Sequence, residues 1–220
     1  MTQGPGHFRE SYERGVLRRG DLADDPLTQF ERWWAQWTSV ERYDVAACVL
    51  ATAGAGSLPT ARYVLCRGWS AEGFEIYTNQ RSQKARDLQH NPQASLVFGW
   101  LEDDHQVRVE GPVSVIDDAS ADAYWAGRPR GSQLGGWASE QGEVLADRAE
   151  LERRRADAVE RFGGDEDGDP IPRPPHWGGY RIAMDRVEFW QGRPDRLHDR
   201  FEYRRHRADP ARWVVQRLAP

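Results

Sequence analysis

From residue 44 to the end of the chain, short runs of alternating apolar and polar residues recur, each closed by glycine, proline or an acidic turn. That pattern restricts the chain to antiparallel β architecture. A period-2 run buries one face, and several successive runs are joined by short turns, as in antiparallel strands. Residues 44–53 (DVAACVLATA) and 60–69 (TARYVLCRGW) read as buried strands joined by a Gly-rich turn, and 74–79 (FEIYTN) follows the Glu72-Gly73 turn. Residues 93–100 and 106–116 alternate strongly. Three more strands are expected at 178–184, 186–191 and 199–205, with the closing ARWVVQRLAP as a candidate fourth. Helical spacing is expected at 81–90, 117–127 and 144–162. Ahead of the first strand, Asp25-Pro26 has the form of an acidic N-cap with proline at the first helical position. Leu27, Phe30, Trp33, Trp34 and Trp37 then recur on one face, as a core stripe does. The sum is a mainly β, α+β chain: a small closed or half-open barrel with peripheral helices. No repeat of solenoid or propeller length is visible.

At 220 residues the chain suits one domain, expected over residues 25–220, with residues 1–24 a polar, Arg-rich, flexible N-terminal arm. Residues 128–142 read as a loop, and residues 163–176 (GGDEDGDPIPRPPH) as an exposed linker ahead of a C-terminal segment, 177–220. A net charge of −5 argues against general nucleic-acid binding. No apolar run is long enough to cross a bilayer and no signal-peptide core is visible, so a cytoplasmic protein is expected. Cys48 and Cys66 sit in apolar runs and read as buried thiols, not as a disulfide framework or a metal site. Of the 30 basic residues only Lys84 is a lysine.

Four stretches carry candidate chemistry. In residues 187–201, Arg196, His198 and Arg200 fall at every second position, which in an extended segment places them on one face. Beside Trp190, two guanidiniums and an imidazole suit a flat, anionic, aromatic ligand. Arg62 and Arg67 lie five apart on one strand and so face opposite sides if it is regular. Tyr77 and Thr78 end a strand that runs into a helix start bearing Lys84, where free amides and the dipole favour a phosphate. Tyr124, Arg128 and Ser132 offer a guanidinium and two hydroxyls, directed donors for a dianion. Taken singly, each has an ordinary reading: a solvated hairpin, strand-end charges, a capped surface helix.

Taken together and in this order, the motifs resemble a known family. W-Q-G-x-x-x-R-L-H-D-R at 190–200, R-Y-V-L-C-R at 62–67, Y-T-N-Q-R-S-Q-K-A at 77–85, the glutamines of HQVRVEG and WASEQG, and Y-W-A-G-R-P-R-G-S-Q at 124–133 are similar to the pyridoxamine/pyridoxine 5'-phosphate oxidases. The resemblance implies an FMN-binding split β-barrel that works as a homodimer, with two FMN sites at the subunit interface. It implies FMN contacts from Arg62, from Tyr63, Val64 and Leu65 along the flavin ring, and from Tyr77, Thr78, Lys84, Gln106, Gln141, Trp190 and Arg200. Gln83 belongs to the same set but stands where the family has an arginine. Gly142 stands where it has a serine. Arg67, replacing a lysine, would hold the substrate phosphate with Tyr124, Arg128 and Ser132. Arg196, Leu197 and His198 would meet the substrate, with Arg196 and His198 at the reacting ring. Tyr12 matches a residue that closes over substrate, although Glu10 and Ser11 depart from the pattern.

The implied activity is oxidation of pyridoxamine or pyridoxine 5'-phosphate to pyridoxal 5'-phosphate in vitamin B6 metabolism, with O2 as acceptor and H2O2 as product. Two alternatives stand beside it: a split-barrel flavin oxidoreductase acting on a phosphate-free aromatic, and a non-catalytic binder of FMN or pyridoxal phosphate. On this pattern Gln83→Arg is expected to restore a phosphate contact, unless Arg81 already fills that place.

Overall fold

The computed structural model describes residues 11–166 and 168–220. Six strands close on themselves: β1 (Ala47–Ala53), β2 (Pro59–Ser70), β3 (Gly73–Asn79), β4 (Gln93–Trp100), β5 (His105–Val115) and β6 (Trp177–Ile182). The barrel order is β1-β2-β3-β6-β5-β4 and back to β1, every pair antiparallel. β5 belongs to two surfaces. Its residues Val113, Ser114 and Val115 pair with β6, while His105 to Glu110 pair with β7 (Arg186–Gln191). β8 (Asp199–His206) and β9 (Asp209–Leu218) continue outward from β7, so the barrel is split by a sheet that leaves it along β5.

The divergence hinges on Gly111. Ala183 and Asp185 donate their amides to the carbonyls of Pro112 and Glu110, which carries the β6–β7 corner across β5. A Cβ on Gly111 would lie 2.1 Å from the Ala183 carbonyl oxygen.

Helix α1 (Pro26–Trp37) seals one end of the barrel. Asp25 caps it, its Oδ1 accepting from the Thr28 amide at 2.9 Å. Phe30 is fully buried among Trp69, Phe74, Phe98 and Trp100, with ring centroids 4.8–5.6 Å apart. Burial of a large apolar side chain contributes ~1.5–3 kcal/mol, so this aromatic stripe is core. A second, smaller cluster joins α3 (Asp118–Ala126), α4 (Arg130–Ala138) and α5 (Arg148–Arg161) to the start of β6, through Trp125, Leu134, Phe162 and Trp177. Helix α2 (Gln83–His90) follows β3 directly.

Several expectations need correction. The stretch 128–142 is not all loop, because α4 occupies its middle with Gln133, Leu134 and Ala138 buried. Its glycines serve packing: a Cβ on Gly136 would meet the Trp125 ring at 2.7 Å. Residues 11–24, expected within a mobile arm, lie against the protein with Leu17 and Ala23 buried. Arg14, Leu17 and Ala23 donate backbone amides to Asp104, Asp199 and Gln29. Residues 1–10 lie outside the described residues. In the expected linker 163–176, Ile171, Pro174 and His176 are buried. Arg130 also gathers the carbonyls of Phe162, Gly164 and Asp169. The long charged helix begins at Arg148 rather than near 144, and the closing segment is a true strand, β9. Among the described residues no helix is long and apolar enough to cross a membrane.

Candidate active site

Three clusters gather nearly all of the residues singled out by the sequence. The first surrounds Lys84, at the start of α2. Its side chain is buried, and Nζ donates to Thr78 Oγ1 at 3.1 Å, Ser82 Oγ at 3.1 Å and Gln141 Oε1 at 2.8 Å. All three partners are neutral. Among the described residues no carboxylate pairs with this ammonium, although burying an unpaired charge costs several kcal/mol. Burial, and then the neighbouring Arg62 guanidinium, pull the Lys84 pKa down to about 8. Ser82 occupies the N-cap of α2 without a side-chain hydrogen bond to it. The donor set therefore fits a phosphate: a desolvated cation, two hydroxyls and a helix start, with no competing anion.

Arg62 stands beside it in a frame of its own. Nη1 donates to the Leu50 carbonyl at 3.2 Å and to Thr52 Oγ1 at 2.7 Å, and Nη2 to Thr60 Oγ1 at 2.5 Å. Gln83, the neutral residue in an expected arginine position, turns its amide away to protein partners. Its Nε2 donates to Asp87 Oδ1 at 2.7 Å and its Oε1 accepts from Arg86 at 3.0 Å. Arg81 pairs with Glu140 at 3.3 Å.

The second cluster lies on the other side of β3. Tyr77 and Thr78 are consecutive strand residues and so face opposite ways. Thr78 meets Lys84, whereas Tyr77 stacks on Tyr124 with centroids 3.9 Å apart and planes 5° from parallel. Trp177 extends the stack, and the Arg128 guanidinium lies 4.8 Å from the Trp177 ring. Burial works first to lower the Arg128 pKa, and the positive Arg67 works in the same direction. Among the described residues Arg128 Nε is buried without a hydrogen-bond partner, Nη2 donates to the Ser132 carbonyl at 3.4 Å, and the Tyr124 hydroxyl beside the guanidinium favours its charged form. Ser132 and Arg67 are exposed at the rim. Unspent guanidinium donors beside a phenol and a hydroxyl suit a second dianion.

The third cluster is built by register. Gln106 pairs with Trp190 across β5–β7, and Trp190 with Arg200 across β7–β8, so all three share one row of the sheet. Arg200 Nε donates to Glu188 Oε1 at 2.7 Å, and Arg108 holds the other oxygen of Glu188 at 2.7 Å. The ring of His198 lies 4.6 Å from that of Trp190, and Tyr12 meets both rings edge-on.

Arg196, His198 and Arg200 do not lie on one extended segment. Asp195 and Arg196 adopt positive φ, 56° and 64°, in a short turn at Pro194–Arg196, and the strand resumes only at Asp199. Arg196 and Leu197 project into solvent, Leu197 at 69 % exposure. His198 is fixed by its own loop, Nδ1 accepting the Arg193 amide at 3.1 Å. An acceptor at Nδ1 leaves the proton on Nε2 in the neutral ring.

Among the described residues no hydrogen bond or ring contact joins this third cluster to the other two. Tyr63, at 81 % exposure, opens with Val64 and Leu65 onto a shallow shelf lined also by Tyr43, Asp44 and Ala47. Sequence reasoning missed Thr52, Thr60, Ser82, Asp87, Glu188 and Trp177. Only one signal pointed to any of them: Gln83 and Asp87 stand four apart at a helix start, a spacing that lets side chains meet.

Comparison with known proteins follows the same outline. Residues 43–160 match the family profile "Pyridoxamine 5'-phosphate oxidase", and residues 177–220 match "Pyridoxine 5'-phosphate oxidase C-terminal dimerisation region". A pyridoxine/pyridoxamine 5'-phosphate oxidase of Cupriavidus metallidurans is 46% identical over 220 residues, covering 100% of both chains. One of Ralstonia pickettii is 48% identical over 213 residues, covering 97% of each. Among solved structures, PhzG of Burkholderia lata, in complex with tetrahydrophenazine-1-carboxylic acid, superposes with a TM-score of 0.84 at 29% identity. The match covers 93% of this chain and 98% of that one. An FMN-binding, pyridoxamine 5'-phosphate oxidase-related protein of Nostoc punctiforme, at 19% identity and TM-score 0.69, shares the fold, with 90% of this chain and 100% of that one covered. A split barrel that matches these profiles and relatives from its first strand to its last belongs to the pyridoxamine 5'-phosphate oxidase family.

Proposed function

We propose that the protein is an FMN-dependent oxidase that converts pyridoxamine or pyridoxine 5'-phosphate to pyridoxal 5'-phosphate, with O2 as acceptor and H2O2 as product. The observation that carries this reading is the pair of basic pockets on either side of β3, at Lys84 and at Arg128, each short of an anion. One phosphate for the cofactor and one for the substrate would satisfy both. Bound FMN would supply a hydride-accepting ring that returns its electrons to O2.

The chain's own residues bind, align and shield. Lys84, Thr78, Ser82 and Arg62 grip the cofactor phosphate. Gln106, Gln141, Trp190 and Arg200 supply polar and ring contacts to the flavin, and Tyr63, Val64 and Leu65 line it. Tyr124, Arg128, Ser132 and Arg67 hold the substrate phosphate. Binding energy gained at that remote group is spent on aligning the reacting carbon. Arg196 and His198, with Leu197, cover the pyridine ring, and Tyr12 packs behind His198 to exclude water. None of these steps needs a strong base.

The reading includes a homodimer. The Trp190–Arg200 corner makes no hydrogen bond or ring contact with the two phosphate pockets of its own chain among the described residues. It also falls within the stretch that matches a dimerisation region. In this arrangement one protomer's corner completes its partner's site.

Aerobic turnover tests the reaction. With FMN and pyridoxine 5'-phosphate, pyridoxal 5'-phosphate should accumulate with equal O2 uptake and H2O2 release, and unphosphorylated pyridoxine should be a poor substrate. Turnover of a phosphate-free aromatic acid of the PhzG kind, with none of the phosphate ester, would contradict the assignment.

A further inference from the structure

Asp87 is 3 % exposed, lies on the inner face of α2, and has no role in the site described above. Its carboxylate is fully engaged. Oδ2 accepts from Thr52 Oγ1 at 2.7 Å and Thr60 Oγ1 at 2.8 Å, and Oδ1 accepts from Gln83 Nε2 at 2.7 Å. Thr52 and Thr60 are direct cross-strand partners in β1 and β2, so the hairpin presents both hydroxyls to the helix together. A threonine hydroxyl has one proton. Once both protons point at Asp87, the oxygen lone pairs are left facing Arg62, and they accept from its Nη1 and Nη2. The carboxylate itself is 3.7 Å from Arg62 Nη2.

The guanidinium is thereby held along its Nη edge by three oxygens. Among the described residues its Nε makes no hydrogen bond and remains available to a ligand. Burial works to raise the Asp87 pKa. The bonds from Thr52, Gln83 and Thr60 and the charge of Arg62 nevertheless bring it below the ordinary carboxylate value. The group is thus an anion at neutral pH. Gln83 completes the arrangement, since a neutral amide satisfies Oδ1 without bringing a cation to compete for the carboxylate.

We propose that Asp87 is a positioning residue for the cofactor phosphate: acting through the hydroxyls of Thr52 and Thr60, it fixes the Arg62 guanidinium beside Lys84. The proposal rests on the flavin reading above and goes beyond it, because neither Asp87 nor the two threonines would touch the cofactor. The pair Gln83–Asp87 then has one task. It aims the arginine that is present instead of adding another.

The test is titration of full-length apoprotein with FMN, followed by quenching of flavin fluorescence, which needs no turnover. Asp87→Asn should weaken FMN binding by about tenfold, the scale of one charged hydrogen bond lost from the grip. Thr60→Val should weaken it similarly and Thr60→Ser should restore it. Thr60 is only half-buried, so this pair carries the test even if Asp87→Asn does not fold. In an Arg62→Met background, Asp87→Asn should cost nothing further, because there is no guanidinium left to aim. Unchanged affinity in Thr60→Val, or the same weakening with and without Arg62, would overturn the positioning role alone. Wild-type apoprotein that takes up no FMN would contradict the flavin reading itself, and this proposal with it.

Discussion

Lys84 carries a charge that no carboxylate among the described residues neutralises, and that makes its titration a probe of the site. Its folded pKa, about 8, lies below the ordinary lysine value of 10.5. Between those two values the unfolded chain binds more protons than the folded one. The Lys84 contribution to apoprotein stability should therefore rise with pH across that window. Phosphate binding has the opposite sign, since it needs the ammonium. FMN affinity should fall as pH passes about 8, by up to about tenfold per unit. Titrations of apoprotein with FMN at pH 7 and 9, alongside urea unfolding at the same values, would show the two trends diverging. Parallel trends would remove Lys84 from the phosphate site. For the second pocket, Arg128→Ala should lower kcat/KM for the phosphorylated substrate by roughly 30-fold. That corresponds to about 2 kcal/mol for a lost charge-assisted contact. The expected loss is in KM, and steady-state kinetics separates it from an effect on kcat.

Elements differ in how openly the sequence declares them. The barrel strands were legible because alternation survives burial on one face, and helix α1 because Asp25-Pro26 and its aromatic stripe mark both its start and its buried side. Helix α4 was hidden. Its glycines read as loop, while one of them is there so that α4 can approach Trp125. The turn at residues 194–196 was hidden for a different reason. Positive φ at Asp195 and Arg196, neither a glycine, leaves no trace in an R-x-H-x-R spacing that looks like a strand. The two basic pockets were legible only as separate motifs. That Tyr77 and Thr78 serve opposite sides of β3 follows from strand geometry, but Tyr124, Gln141 and Trp177, which they meet, come from segments distant in sequence. Asp87 left only its four-residue spacing from Gln83 as a trace, because one acid on a short helix reads as solvent-facing. At the β5 divergence, Gly111→Ala should destabilise the protein by ~1–3 kcal/mol, the cost of forcing a methyl into a filled space. Here the obstacle is the backbone carbonyl of Ala183. Urea unfolding of the variant against wild type measures it, and an unchanged midpoint would show that the corner relaxes freely.

At the scale of the whole molecule, the closed barrel supplies rigidity and the outward sheet supplies reach. β5 serves both, pairing with β6 at one end and with β7 at the other. The chain presents two basic pockets around β3 and carries the Trp190–His198 corner elsewhere. This division makes sense for a site assembled from two copies. The sequence alone could supply the dimer only through resemblance, because periodicity reports burial and not what does the burying. On the reading proposed above, these parts combine into an oxidase whose substrate is recognised by its phosphate. The decisive experiment is anaerobic mixing, in which the absorbance of FMN-loaded protein is followed after addition of pyridoxine 5'-phosphate. The oxidised-flavin band should be lost, should recover on admitting air, and should bleach little with pyridoxine at the same concentration. A flavin that stays oxidised under the phosphate ester, or that bleaches equally with unphosphorylated pyridoxine, would contradict it.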